Sequence, residues 1–256
     1  GGTGKTPLTI KISQILKKLN YKTGIIKKFY KNQNDEQKLI KKRDKLYCHT
    51  KRWVALNEAI NDKMDIVLFD DGLQDRSIKY DLKFVCFNNI KGIGNGFLLP
   101  AGPLRERVSS IAKYDAVFIN GIQKNNNNLR VILKKFNKKI KVFETFYKPK
   151  NMYEFNNKDR YLIFSGIGNP ESFKETLIQN NLNISEDIIF PDHHQYNKSD
   201  IKKIKLKAKN LGSKILTTEK DFIKLSKEDA KDINYLSVDL LIKNENELIN
   251  FIKSKL

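Results

Sequence analysis

Short apolar runs alternate with amphipathic segments along most of this chain. Residues 5–20 carry apolar side chains at helical spacing, which predicts a helix. Further helices are expected mainly over 35–60, over 127–137, and from about Glu171, Ser199 and Asn244. The apolar runs of strand length are GIIKKF (24–29), DIVLFD (65–70), KFVCFN (83–88), AVFIN (116–120), YLIFSGIG (161–168), DIIFP (187–191), SKILTTE (213–219) and NYLSVDL (234–240).

This alternation indicates the fold class. Compact apolar runs are typical of parallel strands that are buried on both faces, and alternating strands and helices favour an α/β fold with mostly parallel sheets. The segment 143–160 has few apolar repeats and many polar residues. We therefore expect one domain over residues 1–148 and a smaller α/β domain over 149–256.

The composition adds a strong positive charge to this picture. The 256 residues include 49 lysines and arginines against 29 acidic residues, which gives a net charge of +20. Such a balance favours an anionic partner, although biased residue usage explains it equally well, because the basic residues are scattered. The sequence shows no apolar stretch long enough for a transmembrane helix. Two cysteines, Cys48 and Cys86, predict no disulfide framework.

The strongest chemical signal is GGTGKT at residues 1–6, which matches the end of a phosphate-binding P-loop. Backbone N–H groups of Gly1, Gly2, Thr3 and Gly4 are expected to face phosphate oxygens. Lys5 is expected to neutralise the transferred phosphoryl group, and the Thr6 hydroxyl to bind Mg²⁺. The first glycine of the motif and the strand before it would precede residue 1, so we expect the sequence to be truncated at its start.

Two adjacent carboxylates, Asp70 and Asp71, follow the apolar run that ends at residue 69. In P-loop enzymes a strand ends in an aspartate that helps hold the Mg²⁺ of the nucleotide. Two neighbouring carboxylates are costly unless a cation is near. This pattern therefore predicts Asp70 and Asp71 as ligands of a magnesium ion that carries the ATP phosphates.

Seven motifs in this order resemble the tetraacyldisaccharide 4′-kinase family, the lipid A 4′-kinases of Gram-negative bacteria. They are GGTGKTP (1–7), NDEQKLI (34–40), DDGLQ (70–74), GNGFLLPAGPLRE (94–106), GIGNPESF (166–173), FPDHHQY (190–196) and TTEKDFIKL (217–225). The resemblance implies transfer of the ATP γ-phosphoryl group to the 4′-hydroxyl of a lipid A disaccharide precursor. It also implies that the enzyme acts at the cytoplasmic face of the inner membrane and binds that anionic surface. The implied fold is a P-loop NTPase-like α/β/α sandwich followed by a smaller α/β/α domain, with the active site in the cleft between them.

The resemblance also implies residue roles. Asp35 matches an aspartate implicated in activating the sugar hydroxyl, and His193 matches a histidine thought to pair with it, so both are predicted to be catalytic together with Lys5. We expect Asp35 and His193 to come from different domains. Glu106 is predicted as a metal ligand together with Thr6, Asp70 and Asp71. Gln74 and Arg105 are predicted to contact nucleotide phosphates, although a salt bridge to a neighbouring acid is an equal alternative for Arg105.

Three other functions stay open at this point. A different P-loop phosphotransferase or ATPase with a soluble substrate would share Lys5, Thr6 and Asp70, but would lack the later motifs. A non-enzymatic nucleic-acid-binding module would favour clustered arginine and aromatic residues, and it would not need paired carboxylates behind a P-loop. A decayed, inactive kinase would keep the motifs and lose the activity.

Overall fold

The computed structural model describes residues 2–30, 34–121 and 127–256. The helices are α1 (Lys5–Lys18), α2 (Asn34–Arg43), α3 (Arg52–Asn61), α4 (Asn127–Phe136), α5 (Pro170–Gln179), α6 (Lys198–Asn210), α7 (Glu219–Phe222) and α8 (Glu245–Lys253). The strands are β1 (Thr23–Lys28), β2 (Leu46–His49), β3 (Ile66–Asp70), β4 (Phe84–Asn88), β5 (Ala116–Asn120), β6 (Lys141–Pro149), β7 (Arg160–Ser165), β8 (Asn183–Ile189), β9 (Lys214–Thr218), β10 (Ile233–Leu236) and β11 (Val238–Ile242).

The predicted α/β class is confirmed, and every apolar run of strand length overlaps a strand. Two strands were not predicted. Strand β2 divides the expected helical region 35–60, and β6 extends into the start of the segment 143–160, where we expect the domain boundary. The run 234–240 also proves to be two strands, because β10 and β11 belong to different sheets.

The chain forms two compact units that interleave along the sequence. The first unit comprises Lys22–Phe69 and Lys148–Asp239, together with the start of the chain. The second unit comprises Thr3–Tyr21, Asp70–Tyr147 and Leu240–Leu256. The expected boundary near residue 148 coincides with one crossing between the units, but the first unit also takes residues 22–69. The simple division into 1–148 and 149–256 stays a prediction.

The first unit contains two sheets, with strand orders β2-β1-β3 and β10-β9-β7-β8. The pairs β1–β2, β7–β8, β7–β9 and β9–β10 are parallel. Strand β7 is buried along most of its length, because helices on both faces cover it with apolar side chains. Its carboxyl end, at Ser165, leads directly into the glycine-rich motif GIGN.

The second unit is built on a sheet of order β11-β6-β5-β4, in which β4–β5 and β5–β6 are parallel. One face packs Phe87, Val117 and Ile119 against helix α4 and the short 3₁₀ helix Val108–Lys113. On the other face, Phe118 lies between Phe84 and Phe143 with ring centroids 5.4 and 5.3 Å apart. Strand β5 is therefore the buried centre of this unit.

Among the described residues, no helix has both the length and the apolar character needed to cross a bilayer.

Candidate active site

The start of helix α1, in the second unit, carries the end of the P-loop motif. Gly4 precedes the helix with a φ of 84°, and a Cβ there would lie 2.6 Å from Nδ2 of Asn120. Only glycine fits this position, because both the backbone angle and the space exclude a side chain. The N–H groups of Lys5 and Thr6, at the start of the helix, form a favourable place for an anion.

The earlier part of the motif is described from Gly2 onward, and the prediction for Gly1 falls outside the described residues. Gly2 has a φ of 75°, and a Cβ on it would lie 2.9 Å from the backbone of Gly168. Thr3 is partly exposed in a bend. The phosphate-binding roles of these residues stay predictions.

The structure brings Thr6 and Asp70 together. The Thr6 hydroxyl donates a hydrogen bond of 2.8 Å to Oδ2 of Asp70, and both residues are buried. Helix α1 supplies the hydroxyl from its first turn, and strand β3 supplies the carboxylate from its last residue. The P-loop helix and the strand-end aspartate therefore meet in the fold, and the role of Thr6 and Asp70 as magnesium ligands stays a prediction.

Asp71 contacts basic side chains of the protein itself. Nη1 of Arg105 lies 2.8 and 3.0 Å from the two carboxylate oxygens of Asp71, and Nζ of Lys5 lies 3.7 Å away. The same Arg105 atom donates a 3.2 Å hydrogen bond to Gln74. Of the two alternatives for Arg105, the structure shows the salt bridge to a neighbouring acid. The predicted metal and phosphate contacts of Asp71, Gln74 and Arg105 stay predictions.

Glu106 accepts a hydrogen bond of 2.8 Å from the Tyr114 hydroxyl. Burial and this carboxylate both raise the pKa of Tyr114 well above its usual range, so the phenol stays a donor. Across the described part of the chain, no group of three or more His, Cys, Asp or Glu side chains is arranged to hold a metal ion. Any Mg²⁺ here would therefore depend on few protein ligands, as is usual for a nucleotide-bound Mg²⁺.

Asp35 and His193 are in contact, although 158 positions separate them in sequence. Nδ1 of His193 lies 3.2 Å from Oδ2 of Asp35 and 3.4 Å from Oδ1. The expectation that they belong to different domains is wrong, because both lie in the first unit. Segment 22–69, which carries Asp35, belongs to the same compact unit as residues 148–239, which carry His193.

The environment of Asp35 keeps it ionised. Its side chain has no exposed surface, and burial alone would raise its pKa. The hydrogen bond from His193 and the charges of Lys220 and Lys224, at 3.5 and 3.8 Å, outweigh burial and hold the pKa well below the usual range. The stability gained from this shift is present above the unfolded-state pKa and is lost as pH falls through the lowered one. His193 is more accessible, with 25% of its side chain exposed.

The position of His193 follows from the loop after strand β8. Its φ of 63° turns the backbone back, and its N–H donates a 3.2 Å hydrogen bond to the carbonyl of Gly166, the residue after strand β7. A Cβ on Gly166 would lie 3.2 Å from Pro191 O and from the His194 Cβ, so the two loops approach closely there. The loops that follow two neighbouring parallel strands thereby fix the histidine, as is usual for ligand-binding edges of α/β sheets.

The motif TTEKD brings charged side chains to Asp35 and its helix for which the sequence predicted no role. Glu219, at the start of helix α7, bonds Lys42 at 2.8 Å and Arg43 at 2.5 Å, and so holds helix α2. Lys220 lies 3.5–3.6 Å from Asp35, Glu36 and Asp192. Because charged residues directly after a strand mark the edge where ligands bind, their position after β9 was the available signal.

Asp221 is the buried anchor of this cluster, and its loss should destabilise the first unit. It accepts hydrogen bonds from the Gly166 N–H at 3.0 Å, the Thr218 hydroxyl at 2.7 Å and Nζ of Lys224 at 2.8 Å. Only 2% of the Lys224 side chain is exposed. Asp221→Ala should lower the free energy of unfolding by about 3–5 kcal/mol, because it leaves a buried ammonium without its nearest carboxylate. Urea unfolding measures the change.

Asp229→Ala is the matched control for that measurement. Asp229 also accepts a hydrogen bond from a hydroxyl, that of Ser226 at 2.7 Å, but it is only half-buried and, within the described part of the chain, bonds no buried ammonium. Its loss should cost less than about 1 kcal/mol. Equal losses for the two variants would contradict the anchoring role of Asp221.

The chain is similar over its full length to one family of known proteins. The family model described as tetraacyldisaccharide-1-P 4′-kinase matches residues 1–256. A tetraacyldisaccharide 4′-kinase from Pelagibacter ubique is 46% identical over 250 residues, which cover 98% of this chain and 80% of that protein. A tetraacyldisaccharide 4′-kinase from Rickettsia bellii is 33% identical, with coverage of 100% of this chain and 83% of that protein.

The fold is also similar to a solved structure. A crystal structure described as the "apo" form of LpxK from Aquifex aeolicus in complex with ATP matches with a TM-score of 0.69 at 22% identity. The match covers 100% of this chain and 85% of that chain. At this identity the likeness supports the fold.

Proposed function

This chain belongs to the tetraacyldisaccharide-1-P 4′-kinase family, and we propose that it transfers the γ-phosphoryl group of ATP to the 4′-hydroxyl of the tetraacyldisaccharide 1-phosphate precursor of lipid A. The observation that carries this function is the family match over residues 1–256. The two polar clusters described above supply the chemistry that such a transfer needs. We assign the cluster around Lys5, Thr6 and Asp70 to the nucleotide, and the cluster around Asp35 and His193 to the acceptor alcohol.

The nucleotide phosphates are assigned to the start of helix α1. The N–H groups of its first turn and the Lys5 ammonium stabilise negative charge, and Lys5 is accessible because 35% of its side chain is exposed. Thr6 and Asp70 offer a hydroxyl and a carboxylate oxygen 2.8 Å apart, which are the hard oxygen donors that Mg²⁺ prefers. When bound there, Mg²⁺ would neutralise charge on the phosphate oxygens.

The acceptor hydroxyl is assigned to the Asp35–His193 pair. An ionised Asp35 accepts the Nδ1–H of the imidazole and so fixes the ring orientation and tautomer. The pair takes the proton of the 4′-hydroxyl as its oxygen attacks phosphorus, which makes the alcohol a better nucleophile. Lys220 and Lys224 hold Asp35 in its ionised form, so that the imidazole keeps the carboxylate that orients it.

The lipid nature of the acceptor places the enzyme at a membrane surface. We assign it to the cytoplasmic face of the bacterial inner membrane as a peripheral protein, with an anionic surface as its partner. The net charge of +20 supports this assignment, since each lysine or arginine near an anionic leaflet contributes roughly 1 kcal/mol of attraction. No nucleic acid or obligate protein partner is proposed.

A direct transfer assay tests the function. The full chain is incubated with γ-labelled ATP, Mg²⁺ and detergent-dispersed tetraacyldisaccharide 1-phosphate, and the labelled position is determined. We expect label on the 4′-oxygen, dependence on Mg²⁺, and no transfer to the same disaccharide without acyl chains.

Two other outcomes would favour the alternatives. Transfer to soluble sugars with none to the lipid would indicate another P-loop phosphotransferase. ATP binding without any transfer or hydrolysis would indicate an inactive homologue.

A further inference from the structure

A loop of the second unit exposes three consecutive large apolar side chains. Phe97, Leu98 and Leu99 are 63%, 38% and 62% exposed, and we call these three residues the apolar tip. Every residue from 94 to 101 is exposed. Exposed apolar side chains are common singly, but a contiguous group marks a contact surface.

Hydrogen bonds within the loop fix the conformation of the apolar tip. Leu99 N–H donates to the Leu104 carbonyl at 2.8 Å, and Leu104 N–H donates to the Phe97 carbonyl at 3.2 Å. The Asn95 side chain donates to the Ala101 carbonyl at 2.9 Å and accepts from the Phe97 N–H at 3.2 Å. The side chains are therefore presented to solvent by an ordered backbone, with little conformational entropy left to lose on binding.

Both ends of the loop are attached to the core of the second unit. Ile93 precedes the tip and Leu104 and Val108 follow it, and all three pack against the cluster around Phe87 and Ile119. A Cβ on Gly96 would meet no atom within 4 Å, so the loop next to the tip faces open space. The tip thus projects from a base that is held in place.

Basic residues flank the apolar tip in the sequence. The stretch 90–113 contains Lys91, Arg105, Arg107 and Lys113 against one acid, Glu106. Glu106 is bonded to Tyr114 and Arg105 is paired with Asp71, so the net positive charge of this stretch comes from the exposed residues Lys91, Arg107 and Lys113. An apolar projection within a basic surface fits an anionic bilayer, because insertion and electrostatic attraction then act together.

We propose that the apolar tip inserts into the acyl region of an anionic bilayer and holds the second unit on the membrane. The proposal rests on the proposed function, which requires a lipid acceptor. The occupant is the bilayer and not the acyl chains of one substrate molecule. A single chain needs walls on several sides to be enclosed, whereas Phe97 and Leu99 each leave more than half of their surface exposed.

Vesicle binding tests the insertion. The full chain is sedimented with vesicles of phosphatidylglycerol and phosphatidylethanolamine. Phe97→Ser/Leu99→Ser should lower the partition coefficient by about a hundredfold, because burial of each side chain contributes a factor of about ten or more. The loss should persist at about 1 M salt, where exposed charges are screened within about 3 Å.

The matched control is Ile178→Ser/Leu206→Ser. It removes two apolar side chains that are 53% and 59% exposed on helices α5 and α6, away from the tip in sequence. Its partition coefficient should equal that of the unmodified chain. Equal binding by the tip variant and the unmodified chain would overturn the proposal, as would equal losses in the two double variants.

The single tryptophan of the chain, Trp53, permits a measurement of depth. In a Trp53→Phe background, Phe97→Trp should give fluorescence that brominated lipid acyl chains quench when vesicles are added. Leu206→Trp in the same background should not be quenched. Quenching that is absent at position 97, or equal at the two positions, contradicts insertion.

Activity in detergent separates this proposal from the proposed function. The tip variant should phosphorylate detergent-dispersed acceptor at the unmodified rate, with an unchanged KM. A raised KM together with normal vesicle binding would show that the tip contacts the acyl chains of the substrate, and would overturn insertion. Normal insertion by a chain that transfers no phosphate would instead reject the proposed function and leave the insertion supported.

Discussion

Lys5→Ala is expected to lower kcat for phosphoryl transfer by a factor of about 10²–10³, the usual effect of removing one donor that stabilises a charged transition state. Lys5 is the first residue of helix α1, and its side chain is partly exposed. It contributes little to the stability of the fold, because its ion pair with Asp71 is long, at 3.7 Å. Asp71 keeps its bonds to Arg105 in the variant. The variant should therefore fold normally, and the lower kcat should reflect weaker stabilisation of the transition state.

The control for this effect is Lys18→Ala. Lys18 is an exposed lysine in the last turn of the same helix, so its removal changes net charge equally but leaves the first turn intact. We expect kcat within a factor of about two of the unmodified enzyme, because surface substitutions have small effects. Nearly normal transfer by Lys5→Ala, with thermal unfolding unchanged, would reject the assignment of this helix start to the phosphates.

The positions of strands in the sequence could be predicted only where the apolar pattern was continuous. Strands such as β5 and β7 are buried on both faces and read as uninterrupted apolar runs. Strand β6 has the burial pattern of a half-exposed strand, with alternating lysine, glutamate and aromatic residues, and it resembles a polar linker in sequence. Strand β2 is four residues long and lies between two helices, so neighbouring helical signals hide it.

The partners of site residues were harder to predict than the residues themselves. Short motifs pointed to Thr6, Asp70, Asp35 and His193. The structure shows the expected contact between Asp35 and His193, and it adds a hydrogen bond between Thr6 and Asp70 that no motif predicted. The unit to which Asp35 belongs depends on how segment 22–69 packs, which no local pattern reveals. Similarly, the bond from Arg105 to Asp71 links positions 34 residues apart, and both a phosphate and a carboxylate satisfy the same guanidinium chemistry.

Asp35→Ala is expected to lower kcat by a factor of about 10²–10⁴, the range for loss of general acid–base assistance. His193→Ala should lower it less, because Asp35 remains ionised between Lys220 and Lys224 and can still accept a proton or orient a water. Neither variant should change ATP affinity much, since both residues are assigned to the acceptor. Asp35→Asn, which preserves shape, distinguishes lost chemistry from the destabilisation that an unpaired Lys224 would cause.

The double variant Asp35→Ala/His193→Ala should be little slower than Asp35→Ala, because residues that act as a unit do not have additive effects. The chain provides a matched pair for this cycle. Asp200 and His194 have the same side-chain types, with Nε2 and Oδ2 3.0 Å apart, and the histidine is the immediate neighbour of His193. Replacement of either or both by alanine should change kcat by less than about threefold, the scale of a small surface effect. Additive losses at Asp35 and His193, or equal losses in the two cycles, would show that the pair does not activate the acceptor hydroxyl.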